Sequence, residues 1–210
     1  MIDDQEIVRI GLRQVIGGVF PTGTCGEARS SQEALQLASQ QDWDLVLLEL
    51  AIDGNRGLEL LKEMKRDRPR MPVLVVSSHP EEQYALRVIR AGAAGYISKA
   101  SASAELLRAV KAVINGGRYV SPSLAEALSA DLHRRDPQAI HETLSDREFQ
   151  VMRLLAAGQT VKEVGGQLSL SVKTISTYRT RILEKTGLQN NSQIMRYAVR
   201  HGLLDAGPEG

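Results

Sequence analysis

Trp43-Asp-Leu-Val-Leu-Leu-Glu-Leu-Ala-Ile-Asp-Gly-Asn-Arg-Gly-Leu-Glu-Leu-Leu61 decides how the first half of this chain folds. Within it, Leu45–Leu48 is a short, continuous apolar run closed by Glu49. Such a run suits a strand buried on both faces of a parallel sheet. Past the glycines at 54 and 57 the period changes, and Leu58, Leu61 and Met64 recur at helical spacing. The alternation continues outward. Val73–Ser77 is a second apolar run, and Glu81–Ala91 carries Tyr84, Leu86, Val88 and Ile89 on a helix. Gly95–Ser98 is a further strand, and Ser103–Asn115 a helix stopped by Gly116-Gly117. Alternating β and α predicts a doubly wound α/β domain over residues 1–118. Its start is thinly written. Only Met1 and Ile2 precede Asp3-Asp4, and Thr22-Gly-Thr-Cys-Gly-Glu-Ala28 holds two glycines that weaken a strand.

After Tyr119 the pattern becomes helical. Residues 119–141 read as a linker, with a short helix over Leu124–His133 broken at Asp136-Pro137. Over 142–205 four helices are expected. Ser145 with Glu148 forms a capping box ahead of a helix ending at Gly158. Thr160–Leu168 is the second helix, and Ser171 caps a third, Val172–Thr186, closed by Gly187. Ser192–His201 is the fourth, followed by a tail over 206–210. The tight Ser169–Ser171 connection and the basic helix after it predict a helix-turn-helix. Gly165-Gly166 lies inside the second helix and is expected to soften it.

The 210 residues carry 26 Lys+Arg against 25 Asp+Glu, a formal net charge of +1. A chain so balanced does not coat nucleic acid along its whole surface, but a local basic head is compatible with it. Residues 160–185 supply that head, with Lys162, Lys173, Arg179, Arg181 and Lys185 against two acidic residues. No apolar run reaches the roughly 18–20 residues of a membrane span, and the acidic opening differs from a signal peptide. One cysteine, Cys25, excludes an internal disulfide, suits the cytoplasm, and is read as a packing residue.

In open parallel sheets, ligands bind beyond the carboxyl ends of the strands. Asp3-Asp4, Glu49, Ser77 and Lys99 all fall at such ends, so they are expected to converge. Carboxylates suit a hard cation such as Mg²⁺. An ammonium and a hydroxyl suit a phosphoryl group.

These residues and motifs resemble the receiver domain of two-component response regulators. The resemblance implies a flavodoxin-like sheet of order 2-1-3-4-5, here with a truncated first strand. It places Asp3, Asp4, Glu49 and the Ala51 carbonyl on a Mg²⁺ site, Ser77 and Tyr96 on the switch pair, and Lys99 on the phosphoryl-contacting lysine. It also implies a sensor histidine kinase as partner. Glu49 stands where the family has its phosphoacceptor Asp. In-line transfer needs the attacking oxygen placed to about an ångström, and Glu projects one methylene farther, so Glu49 is expected to accept phosphate poorly. Three readings stay open: a carboxylate imitating the phosphorylated state, a degenerate receiver kept for packing, or true phosphorylation. His79, on the loop after the second apolar run, is expected to be solvated.

Leu144-Ser-Asp-Arg-Glu148, Leu154-Leu-Ala-Ala-Gly158, Lys162-Glu-Val164, Leu168-Ser-Leu-Ser-Val-Lys-Thr-Ile-Ser-Thr-Tyr178 and Arg181-Ile-Leu-Glu-Lys-Thr-Gly-Leu188 resemble the LuxR-type helix-turn-helix of the NarL/FixJ subfamily. The resemblance places Ser176, Thr177 and Thr180 against bases. Lys162, Lys173, Thr174, Arg179, Arg181 and Lys185 are the further DNA-contact candidates. It also implies pairing of two copies through the last helix, with Ile194, Tyr197, Ala198 and His201 on the dimer face, on an inverted or pseudo-palindromic duplex. The receiver is expected to govern dimerisation through its first helix or the face around Tyr84–Lys111. A second function class remains beside the transcription regulator: a degenerate receiver that docks a partner protein or a heterodimer partner, with DNA binding secondary. Apart from self-phosphoryl transfer, nothing assembles a nucleophile, base and oxyanion hole, so no enzyme is expected.

Overall fold

The computed structural model describes residues 1–101, 103–126 and 140–204. The chain divides into two compact units, one within residues 1–132 and the other within 133–210. Residues 122–126 are helical. The remainder of the expected linker helix and the tail over 206–210 lie outside the described residues.

In the first unit, three parallel strands form one sheet, β1 (Val46–Leu48), β2 (Val73–Ser77) and β3 (Gly95–Ser98), in that order. Val46 pairs with Val73 and Leu74 with Gly95. β1 and β2 are buried throughout, which is why their residues are apolar without alternation. Two further strand positions shrink to bridges. Ile2 bridges Ala28 on one side and Leu48 on the other. Order 2-1-3-4-5 is therefore present, with its first two strands reduced to short paired segments. Ile2 is only 5% exposed between these two neighbours. An apolar cavity of about 240 Å³ lies beside β1, lined by Met1, Ile16, Phe20, Trp43 and Leu45 among others.

Helices α1 (Glu6–Gly17), α2 (Ser31–Gln40), α3 (Gly57–Asp67), α4 (Glu81–Arg90) and α5 (Ser103–Ile114) accompany the sheet. Leu12 of α1 and Leu106, Ala109 and Val110 of α5 pack with Leu47, Leu74, Val76 and Ile97 in one core. The loop between β1 and α3 is tight. Asp53, Gly54 and Asn55 have positive φ. A Cβ on Gly57 would meet the Leu50 Cα at 2.5 Å and the Glu49 carbonyl at 2.6 Å. Only glycine lets α3 start hard against the end of β1, and this fixes the backbone around Glu49. Cys25 is exposed, not packed, because it lies in the extended segment that never forms a full strand.

The second unit is helical. A 3₁₀ turn (Ile140–Thr143) precedes α6 (Asp146–Ala156), α7 (Val161–Gln167), α8 (Val172–Thr186) and α9 (Asn191–Arg200). Each α-helix begins on a hydroxyl or amide cap. Ser145 and Thr160 form capping boxes with Glu148 and Glu163, while Ser171 and Asn190 accept from the third residue on. Phe149, Met152, Val164, Ile175, Ile182 and Ile194 are buried at 0–1% exposure and form the core. The turn between α7 and α8 explains one glycine of the pair. A Cβ on Gly165 would meet the Leu170 carbonyl at 2.9 Å, whereas one on Gly166 meets nothing within 4 Å.

Candidate functional site

The sequence-predicted acidic cluster does assemble at the carboxyl ends of the strands. Glu49, directly after β1, is 1% exposed and Asp3 likewise. One Glu49 oxygen, Oε1, accepts from the Ser77 hydroxyl at 2.5 Å and from the Ala51 N–H at 2.9 Å. The other, Oε2, lies 2.6 Å from Lys99 Nζ and accepts from the Ser78 N–H at 3.3 Å. Lys99 Nζ also meets Asp3 Oδ2 at 2.7 Å. Lys99 reaches both because it follows β3 directly, and its N–H donates to the Ser77 carbonyl. Asp4, in contrast, is exposed.

Burial pushes the Glu49 carboxyl up, but hydrogen bonds from Lys99, Ser77 and the Ala51 N–H outweigh it and hold the group below its ordinary 4.5. Burial likewise lowers Lys99, yet its bonds to Asp3 and Glu49 win and raise it above 10.5. Glu49 and Lys99 thus form an ionised pair at neutral pH. Tyr96, 1% exposed, points inward and donates to the His79 carbonyl at 2.5 Å. Burial raises its phenol well above 10, so it remains a donor. His79 is not solvated as expected. Its Nδ1 sits 3.2 Å from the Ser77 hydroxyl, and its ring packs edge-on against Tyr84 at 4.6 Å.

The second candidate surface is the outer side of α8. Ile175 and Ile182 are buried against the unit, leaving Lys173, Ser176, Thr177, Thr180 and Arg181 exposed and Thr174 half-buried. Lys162 is exposed on α7. The Thr177 and Thr180 hydroxyls donate back to the carbonyls of Lys173 and Ser176. Their protons are spent inside the helix, so each Oγ offers lone pairs outward beside a methyl.

Residues 1–111 match the response regulator receiver domain, and residues 142–198 match the bacterial regulatory proteins of the luxR family. This chain belongs to the LuxR-type response regulators. It is 34% identical over 209 residues to response regulator GacA of Pseudomonas syringae pv. syringae (strain B728a), covering 98% of this chain and 97% of that one. It is 31% identical over 207 residues to response regulator UvrY of Escherichia coli (strain K12), covering 98% and 95%. Among solved structures it resembles the two-component response regulator RcsB in complex with DNA, with TM-score 0.56, 25% identity and 94% and 95% of the two chains covered. RcsB of Salmonella enterica serovar Typhimurium, bound to promoter rprA with phosphomimetic BeF3⁻, gives TM-score 0.62, 26% identity and 94% and 96% coverage. Response regulators of this kind are DNA-binding transcriptional regulators of two-component systems, and the chain is one of them.

The Mg²⁺ set that the family implies does not fit this response regulator. Asp3 Oδ1 accepts the Gln5 N–H at 2.9 Å, and its Oδ2 is paired with Lys99. Both Glu49 oxygens are engaged, as above. The Ala51 carbonyl, expected as a ligand, accepts the Asn55 N–H at 3.0 Å across the tight loop. Among the described residues, no three His, Cys, Asp or Glu side chains converge as metal ligands.

Other expectations also change. Ile194 and Ala198 cannot lie on a dimer face, since both are 0% exposed in the core of the second unit, where α9 packs on α6. Tyr197 is half-buried, its hydroxyl 2.9 Å from His141 Nδ1 and its ring stacked on His201 at 4.2 Å. The outward apolar residues of α9 are Met195 and Val199, at 42% and 63% exposure. Lys185 is exposed but already engaged, its ammonium 2.6 Å from Glu148 Oε2, where it braces the α6 capping box. Arg179 Nε donates to Asn191 Oδ1 at 2.7 Å and ties α8 to α9. Arg153, absent from the sequence reading, is 8% exposed and donates to the Leu203 carbonyl at 2.9 Å, closing the unit's C-terminal end.

Proposed function

We propose that this response regulator stands in its switched state without phosphorylation, with Glu49 supplying the charge that a phosphorylated Asp would supply. The supporting observation is one carboxylate holding Ser77, Lys99 and two backbone N–H groups at once. Its extra methylene carries negative charge toward Ser77 and Lys99, and Tyr96 is buried beneath the loop that follows Ser77. A carboxylate so fully bonded makes a poor nucleophile for a phosphoryl donor. A sensor histidine kinase then has little to add at Glu49. We place the receiver over 1–118, the linker over 119–141 and the reading head over 142–205. The protein acts in the cytoplasm, and no described helix is long and apolar enough to cross a membrane.

The partner is double-stranded DNA, read by α8 in the major groove. Lys162, Lys173 and Arg181 meet phosphates or guanine, and Ser176, Thr177 and Thr180 meet base edges. With their protons turned inward, Thr177 and Thr180 suit the amino groups of adenine and cytosine and the methyl of thymine. The homodimer presents two such helices to an inverted site, with Met195 and Val199 as the apolar centre of the α9 face.

The test compares the protein with Glu49→Asp on duplexes selected from a random pool, at one fixed salt, with and without acetyl phosphate and Mg²⁺. The protein is expected to bind as tightly untreated as Glu49→Asp binds after treatment, and to ignore the donor. Weak binding by the untreated protein alongside a responsive Glu49→Asp removes the reading. Affinity should also fall steeply with salt, as for several phosphate contacts. Weak, sequence-blind binding favours the partner-docking function instead.

A further inference from the structure

We infer that Lys99 is the resident cation of this receiver and that the acidic end of the sheet has no affinity for a divalent metal. The inference concerns the same residues as the switched-state reading but does not depend on it.

Asp3 and Glu49 are each 1% exposed, and two carboxylates buried together need a counter-charge. Lys99 Nζ lies between them, 2.7 Å from Asp3 Oδ2 and 2.6 Å from Glu49 Oε2. One ammonium thus does the bridging that a shared divalent ion would do. The length of Glu49 makes this possible. The longer side chain brings its carboxylate to Lys99 while still accepting from Ser77.

Geometry then closes the alternatives. Mg²⁺ demands near-octahedral oxygen ligands at about 2.0–2.1 Å and gives up water reluctantly. One lone pair of the Ala51 carbonyl is used by the Asn55 N–H, a bond set by the left-handed residues of that loop. Asp3 is held by the Gln5 N–H, and the Arg9 guanidinium, itself paired with Glu27 at 3.1 Å, donates to the Asp3 carbonyl at 2.8 Å. Asp4 is exposed, so it offers a carboxylate only from outside. A divalent ion would have to evict Lys99 from both partners, and the ammonium would then lie buried beside it, like charge against like.

Mn²⁺ is the probe, because it substitutes for Mg²⁺ at oxygen sites and broadens nearby amide signals. The full chain, Lys99→Met and Glu49→Asp are titrated with Mn²⁺ in ¹H–¹⁵N spectra, and bound Mn²⁺ is counted by electron paramagnetic resonance. The native chain should show no saturable broadening at the amides of residues 3–5 and 77–78. Each substitution should open a site, with at least about a tenfold gain in Mn²⁺ affinity, one by removing the ammonium and the other by drawing the carboxylate back from it. Saturable sub-millimolar binding by the native chain overturns the inference. So does a failure of both variants to gain affinity, since Lys99 would then not be what fills the place. Glu49→Asp keeps all charges and guards against Lys99→Met failing to fold. DNA binding is read separately. A chain that binds no Mn²⁺ but needs a phosphoryl donor for DNA keeps this inference and loses the switched-state one.

Discussion

The receiver's acidic cluster and the helix caps of the reading head satisfy their polar side chains at opposite ranges of sequence. In the receiver, Glu49 bonds Ser77, 28 residues away, and Lys99 meets both Asp3 and Glu49. In the reading head, Ser145, Thr160, Ser171 and Asn190 each accept from a backbone N–H three residues on. The first arrangement exists only once the sheet has formed, and it senses any change in side-chain length across the sheet. The second forms with its own helix and is indifferent to what happens elsewhere. A unit meant to be switched is built on the former, and a unit meant to hold a rigid reading surface is built on the latter.

That contrast can be broken most sharply at Glu49. Glu49→Ala leaves Lys99 with Asp3 alone and strips Ser77 and the Ala51 N–H of their acceptor. Removing one partner of a buried ion pair costs about 3 kcal/mol or more, and the loss should appear in the receiver alone. Trp43 is the sole tryptophan and lies in the receiver, so urea unfolding followed by its fluorescence isolates that unit. Native-like unfolding by Glu49→Ala would mean the network contributes nothing. Acid supplies a second route to the same loss. Because Glu49 titrates below 4.5 when folded, its contribution is full above 4.5 and disappears as the pH falls through the depressed value. Trp43-monitored stability should drop over that window in the native chain and much less in Glu49→Gln.

A smaller effect is expected where the reading head departs from purely local bonding. Glu148 is 3% exposed and serves both the Ser145 N–H and Lys185. Glu148→Ala should cost about 1–2 kcal/mol, as for a lost cap plus a charged bond. Far-UV circular dichroism of thermal unfolding should show it without moving the Trp43 transition. An unchanged helical transition would place the stability of α6 in its apolar contacts alone. The smallest effect separates the two glycines of α7. Gly166→Ala should stabilise by about 0.5–1 kcal/mol, because a methyl there meets open space. Gly165→Ala should destabilise, because its methyl would press on the Leu170 carbonyl. If both substitutions stabilise, the α7–α8 turn is looser than its geometry says.

The same division of range governs what the sequence reveals. β2 and β3 match their predicted spans, since an apolar run between turn residues is a local signal. The capping box at Ser145 and the Ser171 cap are likewise written within four residues. α1 and α2 have no such clarity. Apolar residues run around α1, and Ile7 and Ile10 face outward at 75% and 41% exposure while Leu12 is buried. On α9 two apolar pairs at spacing four, Ile194 with Ala198 and Met195 with Val199, lie one residue apart. Periodicity alone says both are stripes, and only the packing of α6 says which one is core. At the acidic end, chain order shows that Asp3, Glu49, Ser77 and Lys99 meet. It does not show that the Ala51 carbonyl accepts the Asn55 N–H, because that depends on the positive φ of three consecutive loop residues.

The bridge between Gly95 and Tyr119 carries a consequence for how the protein is made. Every layer of the receiver sheet waits on residues that leave the ribosome late. Ile2 must hold until β1 arrives, and the far edge is not closed before Tyr119 is added. At ordinary synthesis speeds that interval is roughly ten seconds. Helices of the reading head, by comparison, form within about a microsecond of emerging. The buried strand Val46–Leu48 therefore waits through about a third of the chain's synthesis before the sheet's far edge is closed. The receiver's sheet thus depends on order of synthesis, whereas each helix of the reading head can form from its own residues and then waits only for α9 to complete the core.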